Sequence, residues 1–155
     1  LRRAGPAAIL RAVVCRPGIV CALLVLGCGA EPRPVLLSDR DGYTGRIRIE
    51  VGSAQRALEG ELEYRREPGA VRFTQSVEGA AVVLERPDGG ALRKTVDGRE
   101  VELGLADEGD FALLWMVLSA EPEPGTRVEA LAGGGYAIVA GGQRIAVHLQ
   151  PSREG

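Results

Sequence analysis

From Tyr43 onward the chain alternates apolar and polar residues in short runs, and nearly every run ends at a glycine-containing turn. Period two puts alternate side chains on opposite faces of an extended strand, and closely spaced turns let each strand fold back on the last. Tyr43, Ile47, Ile49 and Val51 share one parity; Arg46, Arg48 and Glu50 take the other. After Gly52-Ser53-Ala54-Gln55, Leu58, Leu62 and Tyr64 alternate with Glu59, Glu61, Glu63 and Arg65. Opposite charges, Arg46 and Arg48 against Glu59 and Glu61, favour pairing of these two runs as a hairpin. Pro68-Gly69 leads to Val71, Phe73 and Val77, and Gly79 separates that run from a strand at 81–86. Pro87-Asp88-Gly89-Gly90 turns the chain into a short strand with Leu92 and Val96. Asp97-Gly98 is the strongest hairpin signal, because both central residues accept positive φ. Val101, Leu103 and Leu105 then alternate with Glu100 and Glu102. Six strands joined by tight turns predict an antiparallel meander.

The period changes at Asp107-Glu108-Gly109-Asp110. Phe111, Leu114, Trp115 and Leu118 fall at i, i+3, i+4 and i+7, one face of a helix at about 107–120. Acids at its start suit the positive end of the helix dipole, with Asp107 or Asp110 as the cap. Ala112, Leu113, Met116 and Val117 make the remaining sides apolar too, so cover on most sides is expected. Glu121-Pro122-Glu123-Pro124-Gly125 ends the helix, and three strands follow near 127–132, 136–140 and 143–149. The expected fold is mainly β: an antiparallel meander forming an open half-barrel or curved sheet of about nine strands, with the helix on its concave face. The body spans 43–150, with a short tail at 151–155.

Several functions are disfavoured. The net charge of -2 offers no basic surface for a phosphate backbone. Three cysteines and one histidine are too few for a zinc or disulfide framework. His148 has the parity opposite to Ile145, Val147 and Leu149, which places it on the polar face rather than in a catalytic role. No serine sits in a nucleophile elbow. The pairs Asp39/Asp41 and Asp107/Asp110 lack the ligand count and spacing of a calcium loop. Gly133-Gly134-Gly135 leads into a strand, not a helix, so it is no phosphate cradle. The expectation is a binding or structural protein with no catalytic residues, cofactor or metal.

Residues 1–27 hold Arg2, Arg3, Arg11 and Arg16 and no acid. An apolar run follows, Gly18-Ile19-Val20-Cys21-Ala22-Leu23-Leu24-Val25-Leu26-Gly27, ending at Cys28. A positive stretch, a short apolar stretch and a small residue are the parts of a secretory signal. As a helix the run measures roughly 15 Å, half the ~30 Å of a bilayer core. Leu24-Val25-Leu26-Gly27-Cys28 resembles the lipobox of bacterial lipoproteins, although Leu26 stands where Ala or Ser is more usual. The resemblance implies that 1–27 is a signal peptide cut between Gly27 and Cys28. It further implies that Cys28 carries the acyl chains, palmitate among them, that anchor the protein to the membrane. Cys15 and Cys21 would leave with the signal. Gly29, rather than Asp, after the cysteine implies the periplasmic face of the outer membrane. Residues 28–42, stiffened by Pro32 and Pro34, read as the lipidated cysteine and a flexible tether.

The order of elements in the body resembles the LolA/LolB family of periplasmic lipoprotein carriers and receptors. Gly45-Arg46-Ile47-Arg48-Ile49 stands as the first strand and Phe111 to Leu118 as the inserted helix. The chain departs from that family in being short and in lacking a clear N-terminal helix. The resemblance implies an apolar groove for lipid or lipoprotein acyl chains, with Phe73, Leu84, Phe111, Leu114 and Trp115 as candidate lining. The alternative is an envelope scaffold that binds a protein partner and has no ligand cavity, these residues then forming an ordinary core. Neither reading involves nucleic acid.

Overall fold

In the computed structural model, residues 33–52 and 56–152 are described; the expected signal, Gly27, Cys28 and the turn at 53–55 lie outside them. Nine antiparallel strands form one open sheet: β1 (Gly42–Val51), β2 (Arg56–Arg65), β3 (Ala70–Val77), β4 (Ala80–Arg86), β5 (Arg93–Val96), β6 (Arg99–Val101), β7 (Arg127–Ala130), β8 (Gly135–Ala140) and β9 (Gln143–Pro151). Among the described residues a single α-helix, α1 (Leu105–Ser119), stands between β6 and β7. The strand order is β6-β5-β4-β3-β2-β1-β9-β8-β7. The meander runs outward from β1 to the β6 edge. The helix then carries the chain to the opposite edge, and β7 to β9 return so that β9 pairs with β1. The first strand therefore lies inside the sheet, between β2 and β9.

The alternation has the expected outcome. Tyr43, Ile47 and Ile49 are buried, as are Leu58, Leu62 and Tyr64. Arg46 stands opposite Glu61 and Arg48 opposite Glu59. Both pairs lie 3.6 Å apart on the polar face. Asp97 and Gly98 take φ of 49° and 78°, the two positive values that a two-residue hairpin matched to strand twist requires.

Four boundaries differ from expectation. The tether does not run free to residue 42: Leu36 and Leu37 are fully buried, and Leu37–Asp39 form a 3-10 turn against the end of α1. Two adjacent leucines can be shielded from water only inside the domain, so the body begins before Tyr43. The sixth strand stops at Val101, and Leu105 instead opens the helix, 88% exposed. Val77 is also exposed, at the end of β3. Finally, α1 is covered on one side only. Phe111, Leu114, Val117 and Leu118 are buried, whereas Ala112 and Met116 face outward, because among the described residues no second layer packs over the helix.

Candidate functional site

The helix starts where Lys94 of β5 meets it. Leu84 shares its inner-face parity with Lys94, its partner across the strands. The Lys94 ammonium donates to Asp107 Oδ2 at 2.8 Å, and the Gly104 N–H donates to the same oxygen at 2.8 Å. Asp107 thus tethers the first turn from its third position, while Gly104 is the cap residue. Burial pushes the Asp107 carboxyl up, but the Lys94 and Gly104 hydrogen bonds and the Lys94 charge outweigh it, and the group is held below the usual carboxylate range. Asp110 pairs with Arg56 of β2. The expected carboxylate pair Asp107/Asp110 is thus divided between two cations, and Asp39 Oδ2 accepts from the Leu36 N–H at 3.1 Å. Among the described residues no cluster of three or more His, Cys, Asp and Glu is arranged to hold a metal.

The five candidate groove residues do come together, as parts of a packed core. Phe73, Leu84 and Leu114 are 1%, 2% and 0% exposed, and Phe111 is 8%. The Phe73 ring lies on Gly60 of the neighbouring strand so closely that a Cβ there would stand 2.7 Å from Cζ. That side of Phe73 has no room for a ligand. Trp115 alone is half-buried. The guanidinium of Arg86 lies 3.6 Å from the centroid of its ring and 5.6 Å from that of Phe111. Arg86 pairs with Val71 on the inner face, so a cation sits at the border of the would-be groove. Residue parity could have revealed it: Arg86 follows Leu84 by two, as Lys94 precedes Val96 by two.

The largest contribution that the sequence did not disclose is Tyr136. It is fully buried, and its hydroxyl accepts the Leu37 N–H at 3.2 Å. Burial pushes this phenol up to about 12. Nearby, the Ser38 hydroxyl donates to the Ala120 carbonyl at 2.7 Å. The 3-10 turn is thus fastened to β8 on one side and to the end of α1 on the other. A depression of about 420 Å³ opens beside it, edged by Trp115, Leu118, Arg33, Asp39, Arg66 and Glu121, and so largely polar. Three further depressions are lined mainly by polar-face residues such as Arg46, Glu59, Glu63 and Arg72. None of the four is lined by Phe73, Leu84, Phe111 or Leu114.

His148 lies on the polar face as expected, 3.5 Å from Glu50 and opposite Arg48. No helix of the described residues is long and apolar enough to cross a membrane. Comparison with protein families, with curated proteins and with solved structures finds no match.

Proposed function

We propose that the chain is a lipid-anchored, non-catalytic protein of the bacterial envelope, held through Cys28 at the periplasmic face of the outer membrane. Its body serves as a scaffold for a protein partner and carries no acyl chain. The observation that supports this reading over carriage is Arg86. An acyl groove needs apolar walls, because a guanidinium brought against a hydrocarbon chain loses water without gaining a partner. Here that cation lies over Trp115, and the rest of the candidate lining is packed. The anchor rests on the sequence pattern ending at Gly27-Cys28.

Acyl carriage remains as a second reading because Trp115 and Leu118 border an open depression. Metabolic labelling with a palmitate analogue, followed by lipid extraction and mass analysis, tests both parts. The chain should take up label, and Cys28→Ser should not. The unlabelled Cys28→Ser chain should yield no bound lipid. Label retained after Cys28→Ser contradicts the anchor, and stoichiometric fatty acid or phospholipid in that extract contradicts the scaffold.

A further inference from the structure

Among the described residues neither β6 nor β7 has a strand on its outer side, and these two edges differ in how they would meet a copy of themselves. At the β7 edge, the Leu131 N–H bonds the Gly135 carbonyl, which fixes the ladder phase. With Glu129 opposite Ala137 and Arg127 opposite Val139, these residues spend their backbone groups on β8. The N–H and C=O of Val128 and Ala130 therefore point away from the sheet. Natural proteins blunt such edges with charge or proline. The charges on β7 do not blunt it, because they are of opposite sign two residues apart: Arg127 and Glu129 pair within the strand at 2.8 Å, with side chains 72% and 38% exposed.

We propose that the β7 edge is a self-association surface, on which two copies of this chain pair antiparallel about a two-fold axis at Val128. In that register the two Val128 residues exchange N–H and C=O, and the Ala130 N–H reaches the second copy's Thr126 carbonyl. Arg127 of each copy stands directly opposite Glu129 of the other, twice over by symmetry, as an isologous contact demands. The Val128 side chains, half-buried on the inner face, meet across the axis. The β6 edge lacks this property. Its hairpin at Asp97-Gly98 turns the backbone groups of Glu100 outward, and a two-fold axis there would set one carboxylate against its own copy.

Sedimentation velocity of the whole chain over a concentration series tests the proposal, with circular dichroism as the check on folding. The unaltered chain should double in mass as concentration rises. Arg127→Glu and Glu129→Arg each place like charges opposite one another and should weaken the dimer by about tenfold or more. An equimolar mixture of the two should recover it, since each introduced charge then faces its opposite. Val128→Pro removes an outward N–H that the monomer does not use, and should leave a folded single-mass species. A chain that stays at single mass throughout overturns the proposal. So does association indifferent to these variants, or a mixture that dimerises no better than its components.

Discussion

Leu37 and Tyr136 are 99 residues apart in sequence and share one buried hydrogen bond. Tyr136→Phe keeps the ring and strands the Leu37 N–H, so it should cost about 1–3 kcal/mol, read as a lower denaturation midpoint in urea. The raised phenol gives a signed pH dependence. Its share of stability is complete below the ordinary value near 10 and is lost as pH rises through about 12. Lys94 and Asp107 give the opposite sign. Because the Asp107 carboxyl is held below its ordinary 3.8, its contribution is present above that value and drains away as pH falls through the folded value. Lys94→Met should therefore cost about 2 kcal/mol at neutral pH and flatten the acid limb of a melting-temperature profile. An unchanged acid limb would mean that another group carries it.

At the scale of elements, the strands were legible and the covering of the helix was not. Alternation with turn residues is a local signal, so Arg46 opposite Glu61 and the Asp97-Gly98 hairpin follow from neighbours in sequence. Periodicity points to the inward face, since Phe111, Leu114 and Leu118 are buried, but whether the other sides are covered is set by tertiary packing, which apolar residues such as Ala112 and Met116 do not report. Leu36 and Leu37 were lost in the same way: two leucines beside prolines and acids show no period of their own. Likewise Phe73 and Leu84, the candidate groove lining on the sheet, are buried, but strand parity is the same for a groove wall and for a core. The helix faces predict unequal costs. Leu114→Ala should destabilise by about 2–5 kcal/mol, whereas Met116→Ala should stay within about 0.5 kcal/mol. Denaturant melts of the two variants check this, and equal losses would mean that the outer side of α1 is covered after all.

Across the described residues, the sheet with α1 and the Leu37–Asp39 turn against it has a packed inner face, with Arg86 and Lys94 along its border. The polar face carries exposed charges of both signs that pair across strands, such as Arg46 with Glu61, a surface suited to contact with protein or water rather than hydrocarbon. The scaffold reading therefore turns on whether the space beside α1 admits an acyl chain, and Trp115, the only tryptophan, reports on that space directly. The measurement is its fluorescence in the Cys28→Ser chain, titrated with palmitate and with phosphatidylcholine vesicles. An intermediate emission maximum that neither lipid moves is expected, because Arg86 covers the ring and the core beneath it is closed. A saturable blue shift on adding palmitate would contradict the scaffold and restore acyl carriage.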